Sequence, residues 1–366
     1  MKRLIKRFIF VFLAVFTAFA VNDRVYAAEL TASEEISSQV DEMLEDYSID
    51  YSVSDMTELS AGDLISAVGE ALSSRIQAPF RLLGIIMVII VFSAFMKSSG
   101  ETAFPESSLA NIYNLVCTVS AVAVISPPLL EAYENAAAAI DRGGGFMLVF
   151  VPVFSGIIMI SGGITSAGLY NAVTIAASEL VMQLSANFFM PLVSASAALA
   201  VSGSVFPNVS VDGIIRLIKK LVTWGLTVSV TLFTGFVSLK CTVGTAVDGF
   251  AAKTAKFMIS GFVPVIGGAV SDAYSTVKGS FGVMKCTAGT AGTIAVVLIL
   301  LPPVLEILAF RAVMWIGSSA AEMFSVQPVE KLLKNLDSGL SIAMSILVCF
   351  SMMFIISTAI MMKGGA

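Results

Sequence analysis

"FMLVFVPVFSGIIMISGGITSAGLYNAVTIAASELVMQLSANFFMPLVSASAALAVSG", residues 146–203, decides the class of this chain. It holds 58 consecutive residues with no Lys or Arg, and its only acid is Glu179. A hydrocarbon core is crossed by about 20 apolar helical residues. Two crossings would each take about 29, too many, whereas three of about 19 fit the usual range. The expected breaks are "SGGITSAG" (161–168) and Asn187–Pro191, where glycine and proline interrupt the pattern.

Working outward, further apolar blocks stand near 82–96, 110–130, 221–239, 290–310 and 340–362. Over the whole chain 57% of residues are hydrophobic and 13% charged, roughly half the charge of a soluble domain. The expectation is an all-α, polytopic transmembrane helical bundle of about seven to eight spans, occupying 81–366. Orientation by basic residues does not choose between the two counts. Three crossings in the long block put Arg216, Lys219, Lys220, Arg311, Lys331 and Lys334 on the side of Lys97, and two put Lys240, Lys253, Lys256, Lys278, Lys285 and Lys363 there. Small residues recur at helical spacing at Ser194, Ala198 and Ser202 and form a run at Ala136–Ala139. Such faces allow close helix approach in lipid, which predicts a tight bundle or a homo-oligomer.

The N-terminus reads as an export signal. Lys2, Arg3, Lys6 and Arg7 precede "FIFVFLAVFTAFAV", and "VYA" places small residues at a cleavage position. This predicts a signal peptide over 1–27 cleaved after Ala27; the other reading is an uncleaved anchor. Residues 28–80 then form an exported acidic segment, with twelve acids and no basic residue between 29 and 70. Ile36, Val40, Leu44 and Tyr47 share one helical face, and Leu64, Val68, Leu72 and Ile76 another.

Several chemistries are absent. With no histidine, imidazole metal ligands and His-dependent triads drop out. The four cysteines, Cys117, Cys241, Cys286 and Cys349, stand singly, as buried small apolar residues do. No phosphate-binding glycine loop is present. No catalytic residue, cofactor, metal or nucleic-acid partner is expected, and the lipid bilayer is the first partner.

"KTAKFMISGFVPVIGGAVSD", residues 253–272, is apolar enough to enter a membrane yet broken as a helix. Pro264 removes a backbone donor, and Gly261, Gly267 and Gly268 loosen its surroundings. Lys253 and Lys256 fence one end on a shared helix face, and Asp272 fences the other. Broken backbone at membrane depth needs protein or water to satisfy it. The segment near 244–275 therefore reads as a re-entrant or broken element, with its charges as candidate docking or pore-lining groups. The competing reading is an interfacial helix whose lysines reach headgroups. Glu179 and Glu306 are the candidate intramembrane acids.

"DGFAAKTAKFMISGFVPVIGGAVSDAYSTVKGS" (248–280) resembles the central region of the stage III sporulation protein AE family of endospore-forming bacteria, and Lys253, Lys256, Pro264, Gly267, Gly268 and Asp272 lie in that matching core. The resemblance implies a non-enzymatic membrane subunit of the channel complex joining mother cell to forespore. It also implies a place in the mother-cell membrane around the forespore, beside other products of the stage III sporulation A operon and a forespore-side partner. The alternative is a stand-alone secondary transporter using 253–272 and Glu179. An intramembrane protease or transferase is the weakest, because no aspartate pair or Ser–Lys pair stands in matching spans.

Overall fold

The computed structural model describes residues 61–103, 109–205, 211–262 and 267–363. The signal peptide, the cleavage point after Ala27, most of the acidic segment and Pro264 lie outside the described residues. Every described element is helical: α1 (Ala61–Ala103), α2 (Leu109–Ile160), α3 (Ile164–Leu184), a π-turn (Ser185–Phe189), α4 (Met190–Val205), α5 (Asp212–Phe262), α6 (Gly267–Met323) and α7 (Gln327–Lys363).

Among the described residues, six helices are long and apolar enough to cross a membrane, counting Ile164–Val205 as one. This fits a multi-pass membrane protein. Against an expected seven to eight spans, the difference lies in helices that run on where hydropathy dips. The charged link 131–145 carries Ala136–Ala139, strong helix formers, and α2 passes straight through it. The 146–203 block breaks at its first predicted site. Gly162 adopts φ 89°, the left-handed conformation that glycine tolerates. Its N–H bonds Met159 O and that of Gly163 bonds Ile158 O, both at 3.0 Å, so α2 closes with a Schellman turn.

The second predicted break, Asn187–Pro191, does not occur. The helix widens into the π-turn instead, and Met190 N–H reaches back to Ser185 O. Proline lacks a donor and crowds the carbonyl four residues earlier. The extra residue of a π-turn relieves that crowding just upstream of Pro191, and the rod continues.

α7 is the central post. Its most apolar stretch is 78% buried, while that of α5 is only 22% buried. Around it Phe146, Phe150 and Phe154 stack along α2 at 5.4 and 5.5 Å, and Phe354 meets Phe150 edge-on at 5.9 Å. Two glycines make room for these rings. A Cβ on Gly292 of α6 would stand inside the Phe150 ring, and one on Gly143 would lie 2.9 Å from Phe350.

Charge-free stretches of the long helices lie side by side: 143–160, 221–239, 286–305 and 338–362. Gly289 faces both Phe154 and Met362, Gly143 faces Phe350 and Leu300, and Cys241 Sγ donates to Ile360 O at 3.8 Å. At 1.5 Å per residue these stretches measure about 27–38 Å, and one hydrocarbon core of about 30 Å fits them. α1 packs on the C-terminal part of α6. Gly317, for example, faces Ile86 and Leu333.

Candidate functional site

Polar side chains gather at the two margins of the charge-free layer. At one margin, Arg311 Nε donates to Asp337 Oδ1 at 2.8 Å, joining α6 to α7, and Arg311 also reaches Met344 Sδ at 3.5 Å. Lys219 of α5 lies within electrostatic reach of both Asp337 and Arg311. Asn335 Nδ2 donates to Asp212 Oδ1 at 2.9 Å, joining α7 to α5. Glu306 is buried, and both its oxygens accept from Asn135 Nδ2 at 3.2 Å, joining α6 to α2. Four helices are thus tied across one belt by charge-assisted bonds, which are stronger than neutral ones.

The other margin is rich in lysine. Lys240, Lys278, Lys285 and Lys363 end the charge-free stretches there, with Lys285 buried and Lys278 beside Gly162. One carboxylate organises the turn. Asp248 of α5 accepts from the backbone N–H groups of Thr165 and Ser166, each at 2.9 Å. These are among the donors that the first turn of α3 leaves unbonded. The N-cap residue is Gly163, which has no side chain to offer them, so Asp248 caps α3 from a neighbouring helix. Ser161 Oγ also reaches Phe281 O at 3.0 Å, tying the same turn to α6.

Past Asp248, α5 runs to Phe262 and α6 begins at Gly267. Lys253 and Lys256 are both exposed on α5. Lys256 Nζ donates to Ser275 Oγ of α6 at 3.3 Å, so the two helices lie side by side there. Gly267 and Gly268 open α6, and Asp272 stands in its second turn. The predicted charges flank the gap between α5 and α6, but the other predicted acids are elsewhere. Glu179 is exposed on α3, accepting from Gln183 Nε2 at 3.0 Å. It lies 15 residues from the Asp248 cap, about 22 Å along the helix. Glu306 belongs to the opposite belt.

Among the described residues, Lys253 and Lys256 of α5 and Glu179 of α3 thus stand apart. Among the described residues no group of three or more His, Cys, Asp or Glu is placed to hold a metal ion. Reading the sequence missed Arg311–Asp337, Asp212–Asn335 and the Asp248 cap. The only available signal was charge standing at the edges of apolar blocks.

With this geometry in place, comparison with known families matches residues 44–365 to Stage III sporulation protein AE. The chain belongs to that family. A curated member, Stage III sporulation protein AE of Bacillus subtilis (strain 168), is 24% identical over 307 residues, covering 84% of this chain and 76% of the relative. No solved structure matches the chain. The family match spans both margins, so the belt, the Asp248 cap and the lysine-flanked helix pair all lie in the part shared with the family.

Proposed function

We propose that this family member is a non-enzymatic membrane subunit of a channel complex joining mother cell to forespore. It sits in the mother-cell membrane around the forespore and works with other stage III sporulation A operon products and a forespore-side partner. The observation that carries this reading is the exposed pair Lys253 and Lys256, held outside the apolar layer on the shared face of a helix. A cationic face presented away from the core suits docking to an acidic group on another subunit. Residues 244–275, which carry these lysines, form a re-entrant element at the bilayer margin. The test replaces Lys253 and Lys256 together by Gln in sporulating cells. Loss of co-purifying partners and of late forespore gene expression, with protein level kept, is expected. Normal values of both would leave the lysines as headgroup anchors and remove the docking site.

A second reading, a secondary transporter, draws on Glu306, a carboxylate buried between α2 and α6. Ionisable groups facing the interior of a membrane bundle mark ion paths in transporters, and Glu306 stands at the edge of the apolar layer, where such a path would open. Glu306→Gln separates the two: a transporter loses solute flux while its assembly is intact, whereas a complex subunit retains its partners and sporulation proceeds.

A further inference from the structure

The outward faces of the helices differ in chemistry. α1 exposes Phe80, Val88, Phe92 and Phe95, and one flank of α5 exposes Leu221, Leu232, Phe236 and Leu239. Large apolar side chains of this kind suit lipid.

α3 presents something else. Ala172, Ala176, Glu179, Gln183 and Asn187 follow one another at helical spacing, and all are exposed. Gln183 Nε2 donates to Glu179 and Asn187 Nδ2 donates to Gln183 Oε1 at 2.9 Å, which makes a polar ladder. An ionisable group facing hydrocarbon at this depth is strongly disfavoured, and such groups face protein or water instead.

The other flank of α5 is the second face of this kind. Thr223, Thr227, Thr231, Gly235 and Ser238 are exposed in one row. The Thr227 and Thr231 hydroxyls donate back to Thr223 O and Thr227 O, at 2.7 and 2.8 Å. At 100° per residue this row and the Leu–Phe row are centred about 120° apart on the exposed side of the helix, with Trp224 on the border between them.

The two polar faces stand at the same depth. α3 and α4 run antiparallel to α5, with Ser166 against Gly244 at one end and Gly203 against Val211 at the other. That register sets Glu179 level with Thr231, Gln183 with Thr227 and Ala172 with Ser238, each to within about a turn.

We propose that these faces meet between neighbouring copies of the chain, the threonine flank of α5 in one copy seated against the Glu179–Asn187 face of the next. Copies inserted in one membrane share an orientation, so faces at equal depth meet without a vertical shift. The chemistry is complementary. Glu179 is an acceptor, and the threonine hydroxyls are donors able to turn from their own helix toward it. Ala172, Ala176 and Gly235 let the backbones approach. Because the two faces differ, the contact is head-to-tail and repeats into a ring or a line rather than closing as a two-fold dimer. The inference rests on reading the chain as an assembly subunit and supplies its partner, a second copy.

The experiment uses full-length chains with Cys117, Cys241, Cys286 and Cys349 replaced by Ser, co-expressed under two different tags in a host that lacks other sporulation proteins. One chain carries Gln183→Cys and the other Thr227→Cys; a second set pairs Ala172→Cys with Ser238→Cys. Mild oxidation of membranes is expected to link differently tagged chains in at least one set. The yield should exceed by fivefold or more both Gln183→Cys with itself and Gln183→Cys with Leu232→Cys. No link in either set, with chains folded and inserted, overturns the proposal. So does a dominant Gln183→Cys self-link, which means a two-fold contact, or modification of both rows by water-soluble thiol reagents without linking. Links that persist while sporulating cells show no co-purifying partners would sink the channel-complex reading and leave this contact standing.

Discussion

Asp248 takes the backbone N–H groups of Thr165 and Ser166 at 2.9 Å each, closing the N-terminus of a helix to which it does not belong. An N-cap side chain makes the same bonds locally. Here the sequence at the turn is Ser161–Gly162–Gly163, and the left-handed Gly162 leaves the capping to a residue 82 or 83 positions away. The bonds therefore join the start of α3 to α5 as well as satisfying it.

Asp248→Ala is expected to destabilise the protein by about 1–2 kcal/mol, the usual cost of losing a cap. Asp248→Asn keeps an acceptor but loses the charge that favours a helix N-terminus, and should cost less, about 0.5 kcal/mol. Thermal unfolding in detergent, followed through the fluorescence of Trp224 and Trp315, checks both. Equal stability of Asp248→Ala and the unaltered chain would show that the cap is dispensable.

Arg311 and Asp337 retain 19% and 26% side-chain exposure, so neither is bathed in water when its partner is removed. Breaking such a pair costs more than replacing it, because one charge remains unpaired. Arg311→Met alone should lower stability by about 2–3 kcal/mol, and Asp337→Leu alone similarly. Arg311→Met with Asp337→Leu should recover more than half of that loss. A double-mutant cycle on unfolding midpoints tests it; simple additivity would mean that the two side chains do not act as a pair.

What could be read from the sequence divides along physical lines. The class was plain from 146–203, because 58 residues without a basic side chain have no place in a soluble core. The first break was plain because Gly162 supplies a backbone conformation that other residues resist. The second failed because Pro191 was read as a stop, whereas a π-turn just before it absorbs the crowding. The block edges near 130 and 146 misled for a related reason: hydropathy falls at Glu131–Arg142, yet helix propensity does not. Within the candidate site, Lys253 and Lys256 were legible as neighbours on one face. Glu306–Asn135, 171 residues apart, and Arg311–Asp337 depend on which helices pack together, and single-chain spacing carries no such information.

Ser325 has φ 57°, a left-handed conformation that costs a residue with a Cβ about 1–2 kcal/mol. It occupies the closing position of a Schellman turn, with Ser325 N–H on Glu322 O at 3.0 Å and Val326 N–H on Ala321 O at 2.8 Å. Glycine is the residue preferred there. Ser325→Gly is expected to raise stability by about 0.5–1 kcal/mol, and Ser325→Val to lower it. Unfolding midpoints in detergent decide; a fall for Ser325→Gly would mean that the serine side chain contributes more than the strain it causes.

The passage between α5 and α6 carries the last prediction. Gly244 packs on Ser166 and Phe281 O accepts from Ser161, so the chain on both sides of the lysine-flanked segment returns to the same α2–α3 turn. Lys256 meets Ser275 between those points. A helix pair closed in this way enters and leaves at one face of the apolar layer. In a cysteine-free background, Thr245→Cys and Ser280→Cys are therefore expected to react with a membrane-impermeant maleimide from the same side, at rates within a few-fold of each other. A segment that crossed would need about 20 apolar residues in one run, and Lys253, Lys256 and Asp272 interrupt the stretch between these positions. Labelling of the two cysteines from opposite sides would establish a crossing, invert α6 and α7 relative to α5, and remove the re-entrant element from the proposed function.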